Sequence, residues 1–255
     1  MYYTKLKNRG LIHVEGTDRH EFLQNLITND LQLLKPGQAL YACLLTPQGK
    51  FLHDFFVSEG NGFILLECEG GARAQDLYKR LNAYRLRADV KISVEEDIPV
   101  YAIFGEKSQP GYTDPRHSNM GYRSFTKPDL QQQPFEFWDR QRIQLCIPDG
   151  SRDMIPEQST LDESHIEKLN GVSYDKGCYV GQELTARMHY RGLGKKHLYA
   201  IQGHLPKPGA EIKAEGKTIG EMRSSCNDIG LALLKDDSLS KLQTVNLMVL
   251  GGLRQ

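Results

Sequence analysis

Two strand-forming runs in the stretch LLTPQGKFLHDFFVSEGNGFILLECE, residues 44–69, constrain the fold most strongly. They are separated by Gly60-Asn61-Gly62, a combination that favours a tight turn between antiparallel strands. Apolar residues then recur with a helical period between positions 74 and 81, and an alternating strand follows over 90–94. Because each of these elements must bury one face, a hairpin followed by a helix and a strand predicts an α+β fold.

Asp54 is a carboxylate in the middle of the first run. Strand alternation places Asp54 on one face with Leu52 and Phe56, and it places His53 on the other face. If the Asp54 face is buried, the carboxylate must be paired, protonated or close to a ligand, because burial penalises an unpaired charge. If the face is only partly buried, Asp54 is solvated, and the residues alone favour neither alternative.

The character of the chain changes twice farther along. Residues 105–134 are rich in Pro, Gly, Ser and Gln, which predicts turns and a variable surface loop with a short strand at MGYRSF. From residue 197 onward, short strand-like runs separated by Gly, Pro and Asp predict a small antiparallel sandwich or barrel. We therefore predict an α+β body over residues 1–196 and a C-terminal domain over residues 197–255.

Charge and apolar content argue against several classes of partner. The 32 basic and 32 acidic residues cancel, so the whole chain has no electrostatic footprint for nucleic acid or an anionic membrane. No apolar run approaches the roughly 20 residues of a membrane span, and the N-terminus lacks the features of a secretory or mitochondrial presequence. We expect a cytoplasmic protein.

A local basic cluster is formed by Lys79, Arg80, Arg85 and Arg87, on and after the predicted helix. Such a cluster can hold an anionic ligand tail. The commoner alternative is a solvated helix face, because long basic side chains extend from apolar surfaces into water.

The five cysteines never form a CxxC pair, which argues against a disulfide framework and a local zinc site. Cys43, Cys68 and Cys146 lie in apolar stretches, where a thiol packs as a small hydrophobe. Cys178 differs, since it lies in YDKGCYVGQELTAR, residues 174–187, just ahead of a helix predicted over about 179–190. It supplies only one ligand, so a metal here needs others from elsewhere in the chain, a cofactor or a second protein.

The predicted position of Cys178 at a helix N-terminus favours the thiolate. Unpaired backbone N–H groups and the helix dipole act in this direction, and Lys176 adds a positive charge. Gly177 and Gly181 permit close approach of a ligand or a partner. A cysteine buried at the helix start remains an equal alternative. A redox thiol is a third alternative, which needs a resolving cysteine such as Cys226.

The segment KGCYVGQELTAR, residues 176–187, resembles the signature K-G-C-[YF]-x-G-Q-E-x-x-x-R of the YgfZ-type iron–sulfur cluster assembly proteins. These folate-binding proteins are relatives of the glycine-cleavage T-protein. The stretches VEGTDRHEFLQNLITNDL, LLTPQGKFLHDFFV and LNAYRLRADVKI also match the family in order, as does GKTIGEMRSS near the C-terminus. The resemblance is nearest to the branch that includes the mitochondrial members, and it leaves residues 105–134 without a counterpart.

The resemblance implies a GcvT/YgfZ-like α+β body with a pocket for tetrahydrofolate, followed by a small C-terminal antiparallel β-barrel. It implies an accessory factor, rather than a conventional enzyme, that helps assemble or repair [4Fe–4S] proteins, including radical enzymes that modify tRNA. The implied partners are A-type iron–sulfur carrier proteins and [4Fe–4S] client enzymes.

The signature carries over to Lys176, Gly177, Cys178, Tyr179, Gly181, Gln182, Glu183 and Arg187. By resemblance, Cys178 is the functional thiol and a candidate ligand of a cluster shared with a partner, and Asp54 is a candidate folate contact. T-protein relatives carry adjacent acidic residues where this chain has His53-Asp54. That departure weakens the alternative function, a folate-dependent aminomethyl or one-carbon transferase, without excluding a folate contact.

Overall fold

The computed structural model describes residues 1–95, 98–105, 111–192 and 194–251, and it has an α+β architecture of three five-stranded sheets. The strands in these ranges are β1 (Tyr2–Lys5), β2 (Arg9–Glu15), β3 (Ala39–Leu45), β4 (Phe51–Glu59), β5 (Phe63–Glu69), β6 (Lys91–Glu95), β7 (Tyr101–Phe104), β8 (Tyr112–Thr113), β9 (Tyr122–Ser124), β10 (Gln131–Gln132), β11 (Lys196–Gly203), β12 (Glu211–Ala214), β13 (Lys217–Cys226), β14 (Ile229–Lys235) and β15 (Leu247–Gly251). The α-helices in these ranges are α1 (Arg19–Gln24), α2 (Ala72–Tyr84), α3 (Phe135–Gln144) and α4 (Gln182–Arg191).

The first sheet has the strand order β3-β4-β5-β2-β6, with antiparallel neighbours throughout. Strands β4 and β5 form the predicted hairpin, and the N–H of Gly60 donates to the carbonyl of Phe63 across the turn. Helix α2 buries Ala74, Leu77 and Leu81, the apolar stripe expected from the period of the sequence. The predicted hairpin, helix and following strand are therefore confirmed.

A β-bulge interrupts the alternation of β4. Leu44 pairs with His53 but Leu45 pairs with Phe51, so one residue of β4 lies outside the regular register. As a result Leu52 packs in the cluster that contains Phe55. Phe51 packs instead in the cluster that contains Phe56. The prediction that Asp54 shares a face with Leu52 is wrong, because the bulge moves Leu52 to the opposite face.

The second sheet has the strand order β10-β1-β7-β9-β8. The short strand expected at MGYRSF is present as β9, but this region is not all surface loop. Asp114, Arg116 and Arg123 are buried, and they form ion pairs in the interior. The polar composition therefore reflects a buried salt-bridge network as well as turns, and residues 106–110 of the predicted loop lie outside the described residues.

The third sheet is antiparallel, with the strand order β12-β13-β14-β11-β15, and it begins at Lys196. Its own apolar cluster contains Tyr199, Ile201 and Met222. A second cluster packs Ile143 of α3 against Leu198, so the sheet is attached to the preceding body by an apolar contact. The division of the chain into two domains stays a prediction. Among the described residues, none of the helices has the length and apolar character needed to cross a membrane.

Candidate functional site

Cys178 is the one exposed cysteine of the chain, and all five cysteines lie in the described ranges. Helix α4 begins at Gln182, so the prediction of a helix start near residue 179 is wrong. Gly181 precedes the helix with φ +84°, a left-handed conformation that separates the loop from the helix. Cys178 therefore lies in a loop rather than in the first turn, and the helix dipole acts on it less than predicted because the effect falls off within a turn.

Lys176 anchors this loop from inside the protein. Its side chain is 6% exposed, and its Nζ atom donates to the carbonyl oxygens of Gln24, Ile27 and Asn29 at 2.7, 2.7 and 2.8 Å. Burial lowers the pKa of Lys176 to about 8. The ammonium group thus fixes the loop to the end of α1 and the residues after it, a contact that the residues of the signature do not reveal.

Tyr179 and Val180 anchor the loop on the other side of Cys178. The ring of Tyr179 is buried and packs in the apolar cluster that contains Tyr41 and Leu45. The backbone N–H of Val180 donates to the carbonyl of Asn25 at 3.3 Å. Cys178 is therefore exposed on a loop that is held at both ends by buried contacts.

The two signature glycines differ in their surroundings. A Cβ atom at Gly181 would lie 2.6 Å from the carbonyl oxygen of Thr46, so only glycine permits the close approach of these two loops. A Cβ atom at Gly177 would meet nothing within 4 Å. The side of the loop at Gly177 is open, as a site that receives a partner requires.

The remaining signature residues lie on or next to the exposed face of α4. Glu183 and Arg187 approach to 3.9 Å with exposed fractions of 92% and 47%, which confirms that the two side chains can pair. A contact so exposed contributes little to stability because water and salt screen it. Gln182 is the first residue of the helix and is partly exposed.

Asp54 is 5% exposed, so the structure selects the buried alternative. The hydroxyl of Tyr41 donates to its Oδ2 atom at 3.0 Å. Burial raises the pKa of the Asp54 carboxyl, although Arg9 and Arg116 act in the opposite direction. His53 lies with its Nε2 atom 2.7 Å from Asp76, on the other face of the strand.

A buried ionic network surrounds Asp54, and sequence reasoning missed most of it. Glu67 binds Arg123 and accepts hydrogen bonds from Arg9 at 2.9 Å and Tyr112 at 2.5 Å. Burial alone would raise the pKa of Glu67, but Arg123 and Arg9 lower it to about 2. The available signal was an acidic residue inside the apolar run ILLEC, although its partners come from distant segments.

A cavity of about 370 Å³ lies beside the segment 172–175, which leads into the Cys178 loop. Its walls include Tyr41, whose hydroxyl binds Asp54, and Tyr174, which lies four residues before Cys178. Its other lining residues are Asn29, Leu33, Leu40, Pro115, Glu167, Asn170, Val172, Ser173 and Asp175. The volume is in the range of small-molecule sites, and the walls combine apolar side chains with amides and the carboxylates of Glu167 and Asp175.

No group of three or more His, Cys, Asp or Glu side chains within the described ranges could hold a metal ion. Cys178 can therefore offer one ligand from this part of the chain. A cluster needs more ligands, because iron–sulfur clusters are held by several side chains.

Comparison with known proteins agrees with this architecture. The family model described as the GCVT N-terminal domain matches residues 5–137, and that of the CAF17 C-terminal beta-barrel domain matches residues 195–253. The chain resembles the structure of glycine cleavage system aminomethyltransferase T from Bartonella henselae with a TM-score of 0.73 at 14% identity, over 93% of this chain and 79% of that one. The predicted fold class, a GcvT-like body followed by an antiparallel β-barrel, is confirmed.

Two curated relatives are the mitochondrial iron–sulfur cluster assembly factors IBA57 of Mus musculus and Homo sapiens. Each is 33% identical to this chain, over 92% of this chain and 78% of the relative. The similarity thus extends over the GCVT-like body and the C-terminal barrel alike. The chain belongs to the family of the IBA57 iron–sulfur cluster assembly factors, a branch of the proteins that carry a GCVT N-terminal domain.

Proposed function

We propose that this protein helps assemble or repair [4Fe–4S] proteins, including radical enzymes that modify tRNA, and that Cys178 is its functional thiol. The observation that carries the proposal is the exposed thiol of Cys178 on a loop anchored by Lys176 and Tyr179. Four other cysteines of the chain are buried and serve packing. An exposed thiol in a fixed backbone is suited to bind a cluster that a partner presents.

The cluster is cargo that this protein shares with a partner. Cys178 supplies one thiolate, and an A-type iron–sulfur carrier protein supplies the remaining ligands. Because a thiol must lose its proton to bind iron, cluster binding at Cys178 releases a proton.

The proposal is tested by replacing Cys178 with Ala in cells that lack the natural protein. We expect the activity of a [4Fe–4S] enzyme to fall to that of cells without the protein. The control is Cys226→Ala, which removes a buried cysteine and leaves Cys178 in place. Normal enzyme activity in cells that contain Cys178→Ala at wild-type abundance would refute the proposal. Loss of activity in both variants would point to the redox alternative, which needs Cys226 as well as Cys178.

We also propose that the 370 Å³ cavity beside the Cys178 loop binds tetrahydrofolate. The ring system of a folate would lie beside Tyr174 and against the apolar side chains of Leu40 and Val172, which line the cavity. The lining contains Glu167 and Asp175 but no lysine or arginine, so the donor-rich end of the folate suits this cavity better than its anionic tail does. When bound, the folate would supply a one-carbon carrier next to the loop.

Anaerobic equilibrium dialysis with tetrahydrofolate tests the folate site. We expect Val172→Arg to weaken binding, because a charged side chain would fill the cavity that Val172 lines. The control is Met248→Arg, which introduces the same charge at an exposed residue of β15. Unchanged binding of tetrahydrofolate by Val172→Arg would refute the site. In a separate assay, turnover of an aminomethyl donor that disappears in Asp54→Asn would favour a transferase.

A further inference from the structure

Leu86 lies in an unusual position on the turn that follows α2. It is 88% exposed, and its backbone has φ +45°. The left-handed region is unfavourable for a leucine because its Cβ atom crowds the next carbonyl oxygen. The conformation closes the turn in which the Ala88 N–H donates to the Arg85 carbonyl at 2.8 Å, but it leaves the Leu86 side chain in solvent. Backbone outliers of this kind are concentrated at functional sites.

The turn that carries Leu86 forms one wall of a cavity of about 360 Å³. Helix α1 and the residues after it form the opposite wall, where Phe22 and Leu26 are buried. Tyr84 also lines the cavity and is 39% exposed. The result is a pocket that combines buried and exposed apolar side chains with charged ones, and it is large enough to receive a side chain of another protein.

Two arginines flank Leu86, and two acidic residues line the opposite wall of the pocket. Arg85 and Arg87 are exposed, and neither forms an ion pair with another described residue. Arg80, from the same basic cluster, is already bound to Asp76 and Glu157. On the other wall of the pocket, the Asp18 carboxylate accepts a hydrogen bond from the backbone of Asp89, while Glu21 is exposed.

The pocket and the Cys178 loop share one supporting segment. Asn25 lines the pocket, and its carbonyl accepts the hydrogen bond from Val180. The preceding carbonyl, that of Gln24, accepts the hydrogen bond from Lys176. The same short segment therefore forms a wall of the pocket and supports both ends of the loop.

We propose that this pocket is the docking surface for the protein that shares a cluster at Cys178. The partner inserts an apolar side chain between Tyr84 and Leu86 and places carboxylates opposite Arg85 and Arg87. The inference rests on the proposed function, because it makes the occupant the cluster-carrying partner. It goes further in assigning recognition to a surface that contains none of the signature residues.

The test uses a purified A-type iron–sulfur carrier protein without its cluster as the probe, and full-length Cys178→Ala as the reference. With Cys178 absent from every sample, binding reports docking alone. We expect Leu86→Asn to weaken binding by about tenfold or more, as for a central interface residue. The melting temperature should stay the same or rise, since Asn tolerates a left-handed backbone. A merely structural Leu86 would show unchanged binding.

The charge of the surface is tested with the double variant Arg85→Glu/Arg87→Glu. We expect weaker binding and a smaller dependence on salt, because complementary charges at an interface are screened by ions. The matched control Lys79→Glu changes an exposed member of the basic cluster that does not line the pocket, and it should bind as the reference does. A second control is Met248→Asn, at an exposed apolar residue of β15.

Three results would overturn the docking surface. In the first, the carrier does not bind the reference protein. In the second, Leu86→Asn binds the carrier normally. In the third, this chain forms a dimer that Leu86→Asn dissociates. The last result would assign the pocket to a second copy. None of these depends on enzyme activity in cells, so the Cys178 role and the docking surface can fail separately.

Discussion

Replacing Lys176 with Met removes an ammonium group that donates to three backbone carbonyls while keeping a side chain of similar length. Three charge-assisted hydrogen bonds at about 1.5 kcal/mol each would contribute about 4.5 kcal/mol. Dehydration of the ammonium offsets part of this gain, as its pKa, lowered to about 8, indicates. We therefore expect Lys176→Met to lower the free energy of unfolding by about 3 kcal/mol.

Urea unfolding followed by the fluorescence of Trp138, the single tryptophan, measures this loss. Hydrogen exchange of residues 174–180 should also become faster, because the loop loses its inner anchor. The control is Lys79→Met, which changes an exposed lysine on α2 and should leave both measurements unchanged. A loss below about 1 kcal/mol with unchanged exchange would show that the carbonyls do not depend on Lys176 and would refute the reasoning.

Three further predictions concern the buried groups around the site. Glu67→Gln should cost about 3–5 kcal/mol in urea unfolding, since it removes the buried carboxylate that pairs with both Arg9 and Arg123 and leaves Asp114 as the remaining partner of Arg123; a cost typical of a surface change would contradict this. Gly181→Ala should lower the free energy of unfolding by about 2 kcal/mol or more, because of its left-handed backbone and the close contact with a carbonyl. Gly177→Ala should leave the stability nearly unchanged, and similar melting temperatures for the two variants would contradict this prediction. Burial lowers the pKa of His165 to about 4, below its usual value of 6.5. The unfolded chain therefore binds the proton more tightly, and stability is lost as the pH falls from about 6.5 to 4. A His165→Phe variant should lose less stability over this range in thermal melts, and a pH profile identical to that of the wild type would disprove the assignment.

Several elements follow from short stretches of sequence. The turn at Gly60–Gly62 and the alternation of the flanking residues predict the hairpin, because turn chemistry and strand period act over a few neighbours. A capping box over residues 160–163 is equally local, with the backbone N–H of Thr160 donating to the Glu163 carboxylate at 3.0 Å. Such local agreement extends to the antiparallel C-terminal sheet.

The surroundings of Asp54 could not be predicted in the same way. Its strand reads as a regular alternation, but pairing with β3 inserts a bulge at Leu52 and changes which side chains share its face. Its burial depends on Tyr41 from a neighbouring strand and on arginines from distant segments. These contacts are decided by register and packing, which alternation within one strand does not contain.

Cys178 shows the same division between local pattern and tertiary structure. The sequence by itself determined the motif, its glycines and the helix that follows, and the motif indicated the family. The exposure of the thiol was decided only by the folded chain, in which Lys176 reaches carbonyls 147 to 152 residues earlier. Bonds over such separations depend on how the whole chain packs, because only tertiary packing brings these carbonyls next to their donor.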